Sequence, residues 1–268
     1  MNILVCIKQV PDTTEIKIDP VTNTLVRDGV PSIINPFDGY ALEAAARIKD
    51  KDPDTHIVVL SMGPKQAEAA LREALAIAAD KAYLVTDRMF GGSDTLATSY
   101  ILYNAISKVE ELEGVKFDAI FCGKQAIDGD TAQVGPELAE LLNYPQVTYA
   151  LEATNADGTL HILKEGEDGN YLIGVKTPCL ITFTKPSFDP RFPTIKRKMA
   201  ARKAVIENLT SAELTSIDPA RAGLKGSPTK VKKTFVPPRK EAGVVIKEET
   251  GEESAQKLFA LLSEAHVI

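Results

Sequence analysis

The chain has 268 residues, 44% of them hydrophobic, with 37 acidic side chains against 31 lysines and arginines and a formal net charge of −6. That length buries one large core with an appendage, and the acidic balance argues against a nucleic-acid partner, whose phosphates need clustered cations. Three cysteines and three histidines, scattered without metal-ligand spacing, argue against a zinc site or a histidine-based catalytic constellation and read as buried thiols of a reducing compartment.

From Met1 to about Leu142, short Val-, Ile- and Leu-rich runs alternate with segments of helical period, which predicts a doubly wound α/β fold on a mostly parallel sheet. The first residues read as a core strand, Ile3 to Val10, and not as a signal peptide. No apolar run approaches the roughly eighteen residues of a membrane span, so a cytoplasmic chain without membrane insertion is expected. A hairpin is expected between Ile16 and Val26, where Asp19-Pro20 and Thr22-Asn23 supply turn residues.

Asn35-Pro36-Phe37-Asp38 starts a helix, with Asn35 as N-cap, Pro36 at the first helical position and Asp38 in the first turn. A strand over Ile57 to Met62 leads to a second helix opened by Pro64. A strand over Tyr83 to Thr86 leads to a third helix capped by Ser93, and a strand over Ala119 to Cys122 leads to a fourth that begins near Asp130. After Tyr144-Pro145, the stretches Val147 to Leu151, His161 to Lys164, Tyr171 to Val175 and Leu180 to Thr184 follow without helices, as antiparallel additions at the sheet edge. Beyond Ile206 the chain is polar and rich in Pro, Gly and Lys, ending in an amphipathic piece, Ser254 to Leu262. Residues 1–205 are thus expected to form a nucleotide-binding domain, and residues 206–268 a C-terminal arm that either wraps a partner or is a mobile tail.

In an open parallel sheet, ligands bind outside the carboxyl ends of the strands. The loops to read are Ile7-Lys8-Gln9, Ser61-Met62-Gly63-Pro64, Thr86 to Ser93, and Gly123-Lys124-Gln125-Ala126-Ile127-Asp128-Gly129-Asp130-Thr131. The last leaves a strand, passes two glycines and enters a helix, so it either offers amides to a phosphate or is a structural turn. Its acids cap the helix or accept a ribose hydroxyl. No Walker sequence is present, and Gly91-Gly92-Ser93 does not complete a dinucleotide fingerprint. Gly91 to Ser99, with Asp94, Thr95 and Thr98, is either a diphosphate or ribose contact or an ordinary capped helix. Pro190 to Met199 sets Phe192, Ile195 and Met199 among cations, a transient docking surface or a solvated connector.

In order along the chain, Val5-Cys6-Ile7-Lys8-Gln9-Val10, Asn35-Pro36-Phe37-Asp38, Ser61-Met62-Gly63-Pro64, Gly123-Lys124-Gln125-Ala126-Ile127-Asp128 and Pro190-Arg191-Phe192 through Lys198 resemble the electron-transfer flavoprotein beta subunit family. The resemblance covers nearly the whole chain. It implies a heterodimer with a flavin-carrying alpha subunit, contacted by the arm of residues 206–268, and a nucleotide held here by Cys6, Asn35 to Asp38, Met62, Gly63, Asp94, Thr95, Thr98, Gly123, Lys124, Gln125, Asp128, Gly129, Asp130, Thr131, Ala132, Gln133 and Val134. In ordinary members the nucleotide is AMP. In electron-bifurcating members it is FAD, reduced by NADH, which passes electrons to ferredoxin or flavodoxin and, through the alpha-subunit flavin, to an acyl-CoA dehydrogenase. Gly129 breaks the acidic run after Ile127, and with Gly91 to Thr98 this favours the bifurcating group. The resemblance further implies docking of the dehydrogenase through Arg191, Phe192, Lys196, Arg197 and Lys198, with Ile195 as anchor. No catalytic acid or base is implied; Lys124 and the loop amides would stabilise negative charge, and Asp38 and Asp130 would hold polar groups of the nucleotide. A reading of another class is a free-standing adenine-nucleotide sensor or hydrolase on the same kind of sheet.

Overall fold

The computed structural model describes residues 1–12, 31–232 and 243–268. The hairpin expected between Ile16 and Val26 lies outside the described residues. In chain order come β1 (Asn2–Cys6), β2 (Gln9–Pro11), β3 (Ser32–Ile34), α1 (Pro36–Lys51), β4 (His56–Met62), α2 (Glu68–Ile77), β5 (Lys81–Val85), α3 (Thr95–Glu113), β6 (Ala119–Gly123) and α4 (Val134–Leu142). Then follow β7 (Gln146–Ala156), β8 (Thr159–Glu165), β9 (Asn170–Lys176), β10 (Cys179–Phe183), α5 (Ile195–Lys203), β11 (Glu207–Leu209), α6 (Gly223–Gly226) and α7 (Gly251–Glu264).

Nine strands form one sheet in the order β11-β5-β4-β1-β6-β10-β7-β8-β9. All neighbours are parallel from β11 to β7, and among the described residues of this sheet only the β7–β8 and β8–β9 pairings are antiparallel. Successive strand residues serve opposite faces: Ile3 and Val5 join the core beneath α1 and α2, while Leu4 joins the core beneath α3 and α4. The helices after β1 and β4 therefore cover one face and those after β5 and β6 the other. The direction of winding reverses between β1 and β6, which is where such a sheet opens a crevice.

Four expectations change in detail. The run Ile3 to Val10 is two strands, because after Ile7 donates to Leu60 O at 2.9 Å the Lys8 amide turns aside to Asp38 Oδ2 at 2.7 Å. Strand β2 then pairs antiparallel with β3 in a separate two-stranded sheet. The stretch ending at Thr184 is no antiparallel edge: β10 is buried along its whole length and lies parallel between β6 and β7, as an apolar strand covered on both faces must. Asp94, and not Ser93, caps α3, its Oδ1 accepting from the Ala97 amide at 3.0 Å while Ser93 Oγ donates to Phe90 O at 2.8 Å. The fourth helix begins at Val134, since φ is 55° at Asp130 and 54° at Ala132, values no α-helix accommodates.

The α/β unit runs on to Lys232, beyond the boundary expected at residue 205, because β11 extends the sheet beside β5. The described residues from 243 onward belong to a second unit, which carries α7, a helix opened by a capping box between Thr250 and Glu253. No helix of the described residues is long and apolar enough to cross a membrane.

Candidate functional site

At the reversal between β1 and β6, Cys6 lies beside Cys122 and one residue further Gly123 ends its strand. A single carboxylate joins the two strand ends. Asp38, 6% exposed in the first turn of α1, accepts from the Lys8 amide at 2.7 Å and from the Gly123 amide at 3.1 Å. Burial pushes the Asp38 carboxyl up to about 7, against the opposing pull of its hydrogen bonds from Asn35, Lys8 and Gly123. Gly123 is required by this clamp, since a Cβ there would run into Asp38 and the Phe37 backbone. A hydrogen bond with Cys6, together with burial, holds the Cys122 thiol well above its ordinary value.

Asn35 does not use its side chain as a cap. Instead Nδ2 donates to Gln125 O at 2.8 Å and Oδ1 accepts from the Ile127 amide at 3.1 Å, stapling the loop after β6 to the start of α1. Lys8 Nζ pairs with Asp128 Oδ1 at 2.6 Å, and Gln125 Nε2 donates to Asp130 Oδ1 at 2.7 Å. Both oxygens of Asp38 are thus engaged by the chain itself, which makes it a clamp between the two strand ends and α1.

The loop leaves its donors free. The amides of Thr131, Ala132, Gln133, Val134 and Gly135 meet no protein acceptor among the described residues, and the backbone is left-handed at Asp130 and Ala132 just ahead of α4. Among the described residues Lys124 Nζ has no carboxylate partner; it stands 4.9 Å from the centroid of the Phe37 ring and 5.5 Å from that of Tyr149. Tyr149 is a residue that reading the sequence missed. It holds φ at 59° on the irregular stretch where β7 meets β10, a backbone angle that no residue type announces.

The second predicted segment meets the first through Thr95, whose Oγ1 donates to Glu137 Oε1 at 3.0 Å and Gln133 Oε1 at 3.3 Å. Glu137 Oε2 is buried and has no partner among the described residues. An acid at the fourth position of α4 reads in sequence as ordinary helix electrostatics, so nothing flagged it. Asp94 is occupied by structure: beyond capping α3, its Oδ2 accepts from the Thr229 amide at 2.9 Å and its own amide donates to Ser227 Oγ at 2.8 Å. Thr98 continues α3, its amide bonded to Asp94 O. Met62 and Gly63 close β4 at the same end of the sheet, the Gly63 amide bonding to Val85 O at 3.0 Å.

The residues expected to dock a partner lie elsewhere. Helices α1 and α2 run back against the strand direction, and the 191–199 segment meets α1 at Glu43 and Asp50 and α2 at Leu75, toward the end of the sheet opposite the crevice. Phe192 is 93% exposed, Ile195 80% and Met199 60%, with Lys196 and Lys198 beside them. Arg191 and Arg197 do not face outward as expected, because their guanidiniums are bound to Glu43 and Asp50, and to the carbonyls of Leu75 and Ala79, respectively.

Comparison with known proteins gives a consistent assignment. The electron transfer flavoprotein domain family matches residues 22–214. Electron transfer flavoprotein subunit beta of Megasphaera elsdenii is 53% identical over 256 residues, covering 95% of this chain and 94% of the relative. The subunit of the same name from Clostridium acetobutylicum is 50% identical over 269 residues, covering 100% of both. The caffeyl-CoA reductase-Etf complex subunit CarD of Acetobacterium woodii is 47% identical over 268 residues, again covering 100% of both.

Proposed function

Because the chain belongs to the electron transfer flavoprotein subunit beta family, we propose that it holds the adenylate and diphosphate of FAD in the crevice between β1 and β6 and works as the electron-carrying partner of an alpha subunit. The observation that carries this reading is the row of amides from Thr131 to Gly135, unengaged among the described residues, in the same loop as Lys124, whose ammonium has no carboxylate partner among them. Such donors suit an anion, and the buried free oxygen of Glu137 suits a hydroxyl or amino group of the same ligand.

When bound, the flavin supplies the electron chemistry. The residues of this chain bind and orient. Asp38 and Asn35 fix the loop, Lys124 and the amides neutralise the diphosphate, and Thr95 keeps the first turn of α3 against Gln133 and Glu137. The partners such a carrier would serve are NADH as donor, ferredoxin or flavodoxin as one acceptor and, beyond the alpha-subunit FAD, an acyl-CoA dehydrogenase that would dock on Phe192, Ile195, Lys196 and Lys198. The resemblance in full length to a subunit named for a caffeyl-CoA reductase complex supports a CoA-ester reductase as the terminal partner. A cytoplasmic location fits these partners.

Releasing the nucleotides of the purified heterodimer and counting them tests the reading. Two FAD per heterodimer is the expected result. One FAD with one AMP would end the bifurcating reading and leave a simple carrier; tight ATP binding and hydrolysis by the lone chain would point to the hydrolase instead.

A further inference from the structure

The segment joining β10 to α5 has no regular structure from Thr184 to Thr194, yet it presents Phe192 and leads directly into Ile195 at the first position of α5, the two most exposed apolar side chains of the docking face. What holds it is concentrated at one residue. The Arg191 backbone amide donates to Glu43 Oε2 at 3.1 Å, Nε donates to the same oxygen at 2.8 Å, and Nη2 reaches Glu43 Oε1 at 3.2 Å. Nη1 and Nη2 also reach the two oxygens of Asp50 at 3.1 Å and 2.7 Å. Glu43 is 3% exposed, and Arg47 completes its shell, with Nε 2.9 Å from Oε1 and its guanidinium carbon 3.4 Å from the centroid of the Phe188 ring. On the far side of Phe192 and Ile195, Arg197 Nη2 donates to the carbonyls of Leu75 and Ala79 at 3.0 Å and 2.8 Å, at the end of α2. The exposed pair is therefore bracketed by two inward-turned arginines.

Buried ion pairs are weak sources of net stability, because desolvation offsets the attraction. A fork held by four hydrogen bonds, with a fifth from the backbone amide of the same residue, does, however, define where its backbone lies. An irregular segment must otherwise be ordered when a partner arrives, which lowers affinity. Nor can Arg191 meet a partner's acids while its donors are taken, so charge complementarity falls to Lys196, Lys198, Arg202 and Lys203, none of which has an ion pair among the described residues.

We infer that Glu43, with Asp50 and Arg47, is a positioning residue for partner docking: it anchors Arg191 so that Phe192 and Ile195 stand in place before an acidic protein surface meets them. The inference rests on the proposed docking face. It separates recognition from the nucleotide site, which lies toward the other end of the sheet.

The test uses the intact heterodimer loaded with its nucleotide, and measures kcat and the KM for the purified dehydrogenase for wild type, Ile195→Ala, Glu43→Gln, Arg191→Lys and Asp50→Asn. Arg191→Lys retains the charge and loses the fork. Glu43→Gln and Arg191→Lys are expected to raise KM roughly three- to tenfold with kcat and bound nucleotide unchanged, and Asp50→Asn to raise it less. Combined with Ile195→Ala, Arg191→Lys should add little to KM, since both act on the same encounter. If Ile195→Ala raises KM while Arg191→Lys and Asp50→Asn leave it at the wild-type value, the positioning role is refuted although the docking face stands. If Ile195→Ala itself changes nothing, the docking face is wrong and the inference falls with it. Should Glu43→Gln fail to fold, the two variants at the half-exposed Arg191 and exposed Asp50 still decide.

Discussion

Asp38 ties two strand ends and one helix with a carboxylate that burial penalises, and its titration makes the clamp measurable. Its carboxyl titrates near 3.8 in an unfolded chain and at about 7 in the fold. Between those values the unfolded chain has lost the proton and the folded chain retains it, so this residue makes stability fall as pH rises from about 4 to about 7 and level off above. Asp38→Asn removes that slope. Denaturant midpoints of the variant relative to wild type should therefore improve progressively across the window, and a constant difference would contradict the assignment. Two glycines of the same loop behave oppositely. Gly123→Ala drives a methyl into Asp38 and Phe37 and should cost about 1–3 kcal/mol, seen as a lowered denaturation midpoint. At Gly129 a Cβ meets nothing within 4 Å, so Gly129→Asp should leave stability within about 0.5 kcal/mol of wild type while releasing nucleotide more readily. Full flavin retention by that variant would count against a diphosphate passing this residue.

At the scale of elements, what could be read in the sequence was what depends on neighbours in the chain. Pro36 with an acid two residues on announces α1, and the apolar runs of β4, β5 and β6 announce a parallel core. What could not be read depends on partners far away. Nothing between Ile3 and Val10 says that Asp38, thirty residues from Lys8, will end the strand. The buried run of β10 is legible, but its place between β6 and β7 is a choice of pairing. Arg191 and Arg197 look like surface cations until their acceptors, 148 and up to 122 residues away, are known. The crevice was partly legible in the same way: glycines before a helix mark the loop, whereas the left-handed Asp130 and Ala132 that free its amides carry no signature. For α7, in the arm proposed to grip the alpha subunit, the capping box predicts that Thr250→Ala lowers helix stability by about 1 kcal/mol and loosens the heterodimer. Unchanged subunit affinity, measured by analytical ultracentrifugation, would remove α7 from that interface.

For the α/β unit as a whole, the sheet order assigns the work. Winding reverses once, between β1 and β6, and the helices that pack against the strands run the other way, so the crevice lies at the carboxyl ends of the strands while the anchored docking segment lies toward the opposite end. Variants of the two regions should then be independent: Ile195→Ala raises the KM for the dehydrogenase without loss of nucleotide, and Gly129→Asp loses nucleotide without changing that KM. The most direct test of the account is amide hydrogen exchange on the heterodimer stripped of nucleotide and then reloaded with FAD. The account predicts slowed exchange in the peptide spanning Thr131 to Gly135, with the 184–194 connector unchanged. Protection that appears elsewhere in the chain, with Thr131 to Gly135 exchanging as before, would contradict it.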